Sequence, residues 1–163
     1  MKLLHGTNAI ISRPGIGKCQ SKNDFGRGFY LTPSWNRAWE MGRRRVDFYG
    51  GTITVNAFNY DAKAAKAAGL KVLRFDDFTV EWARFVIQNR DVPFFSHSYD
   101  IVIGPVADAI LDTVLYSYRN EFGPGYLDDE PLRIFISRVS QFGSSYIQYC
   151  FCTQKAMDIL KKL

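Results

Sequence analysis

Asp24-Phe25-Gly26-Arg27-Gly28-Phe29-Tyr30-Leu31-Thr32-Pro33-Ser34 is the segment on which the reading of this chain turns. Two glycines lead into a short aromatic run, Phe29–Thr32, which reads as a strand. A helix is expected to follow at once, over Ser34–Val46. Gly26 and Gly28 can expose backbone to a ligand, and Tyr30 offers a flat stacking face with a polar tip. A lone Gly-x-Gly carries little information. One that feeds directly into Phe-Tyr-Leu-Thr is far more specific.

Outward from this segment, the chain reads as short strands mixed with helices. Further strands are expected at Lys2–Gly6, Thr52–Phe58, Lys71–Phe75, Asp100–Gly104, Thr113–Tyr118 and Tyr146–Phe151, each rich in β-branched or aromatic residues. Gly104-Pro105 is expected to end the fifth of the seven. Helices are expected at Thr79–Arg90, Glu130–Ser140 and Thr153–Lys162, with one or two helical turns over Ala62–Ala68. Trp82, Phe85 and Val86 recur at helical spacing, Pro131 can open the third helix, and Thr153 can cap the last. Gly123-Pro124-Gly125 marks an exposed turn. Strands outnumber helices without alternating regularly with them, so the expected class is α+β in a single domain over 1–163.

Charge is unevenly placed. Residues 1–45 hold nine Lys/Arg against two acids, whereas the other 118 residues hold 12 against 14. A basic N-terminal third suits an anionic ligand, such as a pyrophosphate, a nucleic acid or an acidic partner. The longest apolar run, Tyr149–Cys152, has four residues, against the roughly 20 that a membrane span needs. The start has no apolar stretch of signal-peptide length, and three cysteines suit reduced thiols, so a cytoplasmic protein that does not engage membranes is expected. Cys150-x-Cys152 reads as two packing thiols, because a closed zinc site needs four ligands and no His lies at metal-ligand spacing. No metal is expected. Gly15-Ile16-Gly17-Lys18 lacks the Ser or Thr of a phosphate loop and reads as a turn. The Gly-x-Ser-x-Gly elbow of serine hydrolases does not occur. Nothing pairs Cys19 with a base.

Two more segments carry chemistry. In Leu3-Leu4-His5-Gly6-Thr7-Asn8 a strand ends in a histidine and then a glycine. Gly6 lets a flat ring approach the backbone, so that its N–H and C=O can pair with a carboxamide. His5 and Thr7 offer donors and acceptors for ribose hydroxyls. In Tyr146-Ile147-Gln148-Tyr149-Cys150-Phe151-Cys152, strand alternation sets Tyr146, Gln148, Cys150 and Cys152 on one face. A buried amide such as that of Gln148 must find a partner, which could be a ligand hydroxyl.

His5-Gly6-Thr7, then Gly26-Arg27-Gly28-Phe29-Tyr30-Leu31, then a polar residue on a C-terminal strand resembles the ADP-ribosyltransferases of the diphtheria-toxin and poly(ADP-ribose) polymerase type. Asp24–Thr32, Tyr99–Asp108 and Cys150–Ala156 further resemble a small bacterial family of that superfamily, some of whose members are thought to be toxins of toxin–antitoxin pairs. The resemblance runs from Leu3 to Leu160. It implies a split β-sheet with flanking helices around an NAD cleft. His5 would bind the adenosine ribose, the Gly6 backbone would hold the nicotinamide amide, and Tyr30 would stack on the ring. NAD-binding contacts are thus expected at His5, Gly6, Thr7, Gly28, Tyr30 and Gln148, with His5, Tyr30 and Gln148 as the catalytic triad.

The third position of that triad usually holds Glu. Cleaving the nicotinamide–ribose bond develops positive charge on the ribose, which a carboxylate stabilises and an amide only orients. Losing one such electrostatic contact costs about 3–4 kcal/mol. Asp24, Asp108, Asp128, Asp129 and Glu130 are candidates to supply the missing charge. Ala38 and Met41 replace a Ser and a stacking Tyr of the polymerase-like relatives, and Trp35 or Trp39 could stand in for the latter. The expected function is NAD-dependent mono-ADP-ribosyl transfer to a protein or nucleic acid, with a toxin role and a cognate antitoxin implied by the resemblance. The alternatives are an NAD glycohydrolase and a catalytically inactive NAD- or ADP-ribose-binding module.

Overall fold

A computed structural model describes residues 1–107, 110–141 and 145–163. It is an α+β protein with two sheets and six helices among the described residues. The first sheet joins β1 (Lys2–Thr7), β3 (Thr54–Asn59) and β7 (Lys161–Lys162) in the order β1-β3-β7, all antiparallel. The second has the order β2-β6-β5-β4, from β2 (Phe29–Leu31), β6 (Ser145–Phe151), β5 (Ile101–Ala107) and β4 (Val72–Arg74). Its pairs are antiparallel except β4 with β5. Where the two sheets meet, one isolated bridge, Leu4 with Thr32, joins β1 to the end of β2.

The sheets pack face to face through Leu3 and Phe58 of one and Phe29, Leu31, Ile101, Ile103, Tyr149 and Phe151 of the other. Each such side chain removed from water contributes about 1.5–3 kcal/mol. Alternation turns Val102 and Cys150 to the opposite face of the second sheet. There α3 (Val80–Asp91), α4 (Ile110–Phe122) and α5 (Asp129–Ser140) cover them with Trp82, Val86, Leu115, Tyr118 and Phe135. The Trp82 indole donates to Pro105 O (3.0 Å), which satisfies its one polar group in that core. Helix α1 (Trp35–Tyr49), capped by the Ser34 hydroxyl, lies on β1. Helix α2 (Ala62–Ala67) is the short alanine-rich helix, capped by Asp61.

Three sequence expectations are corrected. Thr113–Tyr118 is not a strand but the middle of α4. Leu111, Val114, Leu115 and Tyr118 are its buried face, so a 3.6-residue period overrides the strand preference of Val and Tyr. The last helix stops early. Helix α6 spans Gln154–Met157, and Lys161–Lys162 pairs with β3 instead. Pro105 does not end β5, which runs on to Ala107 beside β6. Strand β4 pairs only with Ile101–Ile103, so Pro105 lies where one edge of β5 has no strand neighbour and its missing N–H costs nothing. No described helix is long and apolar enough to cross a membrane.

Candidate functional site

Successive strand residues turn their N–H and C=O groups to opposite edges. Leu4 uses both of its groups on Thr32, at 2.8 and 2.9 Å. Gly6 therefore turns its own N–H and C=O to that same edge. Continued by two residues, the register of the bridge would set Gly6 against Tyr30. Instead the His5 side chain takes the Tyr30 carbonyl, with Nδ1 at 2.8 Å. The ladder stops there, and the sheet splits between Gly6 and Tyr30.

His5 is half-buried, with its ring centroid 4.5 Å from that of Phe29. Burial holds its imidazole below the ordinary value; the Tyr30 carbonyl opposes this, and Arg45 and Lys162 add to it. A carbonyl can only accept, so the neutral ring carries its proton on Nδ1 and leaves Nε2 as a free acceptor.

A narrow cleft occupies the split. Its walls include His5, Gly6, Tyr30, Arg37, Met41 and Gln148. Its free volume is about 10 Å³, on the order of one water molecule. The Gln148 amide nitrogen is buried there with no hydrogen-bond partner among the described residues. Gln148 stands opposite Gly104 in the β5–β6 ladder, and Thr32, bonded through its hydroxyl to Ile147 O (3.0 Å), ties the end of β2 beside it.

The fold thus draws His5, Gly6, Tyr30 and Gln148 from three distant segments into one cleft. Thr7 and Gly28 are not among its lining residues. Thr7 is buried and its hydroxyl reaches Asn8. Gly28 lies so close to β6 that a Cβ would stand 2.7 Å from Phe151 O and run into Cys150 Sγ. Gly6 has a packing reason as well, since a Cβ there would run into the Ala38 carbonyl of α1. The Tyr30 phenol donates to Gly26 O (2.7 Å) and accepts from Phe25 N (3.1 Å), so it fastens the turn before its own strand. Burial first, then the neighbouring Cys150 and Asp24, push that phenol well above its ordinary value, so it stays protonated.

The sequence did not single out Arg37 or mark Met41 as a wall. Both follow from their places on the face of α1 turned to β1, beside Ala38. Arg37 is buried, lies over the Tyr146 ring (5.8 Å to its centroid) and is 3.7 Å from Glu40. Trp35 and Trp39, weighed as stand-ins for a second stacking ring, are exposed and are not among the lining residues.

None of the described acids considered in place of a glutamate lines the cleft. Asp24 is buried and ion-paired to Arg90 (2.7 Å). Asp128 accepts from the Tyr126 hydroxyl (2.8 Å), Asp129 pairs with Arg84, and Glu130 is exposed in the first turn of α5. Asp108 lies outside the described residues. No group of three or more His, Cys, Asp or Glu able to hold a metal ion occurs among the described residues.

Neither a curated protein nor a solved structure matches the chain. A family model described as a protein of unknown function, DUF3990, matches residues 1–162, and the chain belongs to that family.

Proposed function

We propose that this protein is an NAD-dependent mono-ADP-ribosyltransferase whose ligand enters the split between β1 and β2. One observation carries the reading. The free edge of Gly6 and the unpartnered amide of Gln148 share a single cleft with His5 and Tyr30. Nicotinamide carries a carboxamide, which complements a backbone N–H and C=O two atoms apart on one edge. His5 Nε2 accepts a ribose hydroxyl, and Gln148 Nε2 donates to another. The Tyr30 ring supplies the stacking face, while its hydroxyl holds the Phe25–Gly26 turn.

The cleft must widen to take a ring. Met41, unbranched and exposed, is the wall that yields most easily. The Arg37 guanidinium disfavours positive charge on a ribose and favours the pyrophosphate end of the ligand. Gln148 orients the ribose without adding a negative charge, so transfer is slow relative to a glutamate enzyme. The same two residues support a second reading, a module that binds NAD or ADP-ribose without cleaving it. A toxin role and a cognate antitoxin rest on the family resemblance alone, as does the choice of protein or nucleic acid as acceptor.

The test is incubation with NAD and cell extract, following free nicotinamide and the intact masses of protein and nucleic acid. Transfer gives nicotinamide together with ADP-ribose adducts. Nicotinamide without adducts identifies water as the acceptor. Binding without release leaves the binding module, and absence of binding overturns both readings.

A further inference from the structure

A second and larger cleft, of about 580 Å³, is lined in part by Gly26 and Arg27 of the Asp24–Gly28 loop. That volume lies within the roughly 300–1,000 Å³ range of small-molecule sites. Its walls include Lys22, Arg27, Arg90, His97 and Cys152. The cysteine is half-exposed, and its Sγ lies 3.4 Å from that of Cys150, which is fully buried beneath it. A disulfide needs the two sulfurs about 1.4 Å closer than this. His97 also lies in the wall, with Nε2 donating to Phe25 O (3.0 Å) and Nδ1 accepting a long bond from Tyr99 N (3.3 Å).

We propose that Cys152 and Cys150 form a redox-active thiol pair, in which Cys152 attacks a small anionic disulfide that enters this cleft and Cys150 resolves the adduct. The two thiols have the division of labour that such exchange requires. Cys152 is reachable, and its contact with the Cys150 thiol, aided by His97, outweighs burial and brings its own thiol down to about 6. Cys150 is sealed from solvent, and burial holds its thiol well above the ordinary value, so only an adduct on its neighbour can reach it. Lys22 and Arg27 make the rim basic, while Arg90 and Asp91 in the wall are paired with Asp24 and Arg119, and this favours a disulfide bearing carboxylates, of the oxidised-glutathione class.

The exchange balances. The Cys152 thiolate attacks one sulfur of RSSR, that S–S bond breaks, and one thiolate leaves. The Cys150 thiol gives up its proton and attacks the Cys152 sulfur of the mixed disulfide, and the second thiolate leaves. The protein loses two electrons and two protons, and the small disulfide becomes two RSH. One consequence reaches the first cleft. Cys150 is the cross-strand partner of Tyr30 and lies against Gly28, so its movement shifts both. That coupling rests on the NAD reading, whereas the thiol chemistry does not.

The test uses the folded protein with Cys19→Ser, which removes the third thiol. It is treated with oxidised glutathione, and its intact mass and peptides are read. The expected product has lost two hydrogens, carries a Cys150–Cys152 link and reverts with dithiothreitol. Cys150→Ala in the same background should stall as a glutathione adduct on Cys152. Cys152→Ala should not react. A neutral disulfide such as hydroxyethyl disulfide should react several-fold more slowly. Failure of the folded protein to react, reaction only after denaturation, or equal rates for both disulfides would overturn the proposal. NAD is absent throughout, so the result is independent of the first site.

Discussion

Tyr30 shows how one side chain can serve structure and site together. Its hydroxyl fastens Phe25 and Gly26, while its carbonyl holds His5. Tyr30→Phe leaves a backbone donor and acceptor without their partner, at a cost of about 1–3 kcal/mol. It keeps the ring, however. We predict a lower melting temperature with the NAD-induced rise intact. Tyr30→Ala should lose both, and unchanged NAD affinity in titration calorimetry would remove the ring from the site. Gly6→Ala is expected to be worse for the fold, because its Cβ meets a helix carbonyl rather than a flexible side chain. At this scale His5 and Gln148 were legible in the sequence. A histidine before a glycine and an amide among apolar strand residues stand out without knowledge of the fold. Arg37 did not stand out, since a charge on an amphipathic helix reads as solvated until the helix is seen to press it against Tyr146.

At the scale of elements, local pattern located most strands and helices and failed where tertiary partners decide. Helix α4 carries Val114 and Tyr118, which favour a strand one by one but, with Leu115, form a helical stripe facing α5. Lys161–Lys162 has no intrinsic reason to be a strand and becomes one only because β3 offers an edge. The join between β6 and α6 yields a prediction. Thr153 Oγ1 accepts from Ala156 N (3.2 Å) and donates to Asp100 Oδ1 (2.7 Å), while Asp100 Oδ2 accepts from Lys71 N (2.9 Å). Thr153→Ala should cost about 1–2 kcal/mol in denaturant unfolding. Burial works to raise the Asp100 carboxyl, but the Lys71 N–H and Thr153 hydroxyl outweigh it and hold the carboxyl below its ordinary 3.8. Its folded value is depressed. The stability it adds is therefore present above 3.8 and lost as pH falls through the folded value. Melting temperature measured down this acid range should fall less in Asp100→Asn than in the wild type, and identical slopes would remove Asp100 from the acid transition.

Across the whole molecule, the basic N-terminal third is spread over several places, with its densest run, Arg43–Arg45, on α1. Arg43, Arg44 and Arg45 lie within α1, and all three are exposed, as are Trp35, Trp39, Phe48 and Tyr49 of the same helix. Arginines beside exposed aromatic rings suit a polyanionic partner. Reversing all three charges should weaken binding to single-stranded nucleic acid, with a steep salt dependence in the wild type that flattens in the variant. Equal affinity across a salt series would leave these arginines as a solvated face. The overall α+β class was legible in the order of strands and helices, whereas a split sheet was expected only from the family resemblance and its position was not legible in the local pattern. It depends on His5 taking a carbonyl that the ladder would otherwise give to Gly6, a choice made between strands 25 residues apart. The measurement that bears most directly on the account is NAD turnover by Gln148→Glu, with a melting curve from the same sample. The account predicts an intact fold, retained NAD binding and faster nicotinamide release, because a carboxylate in place of the unpartnered amide stabilises positive charge on the ribose. A collapsed melting temperature without a gain in release would contradict it, since Gln148 would then be a structural amide and the carboxylate an unpaired buried charge.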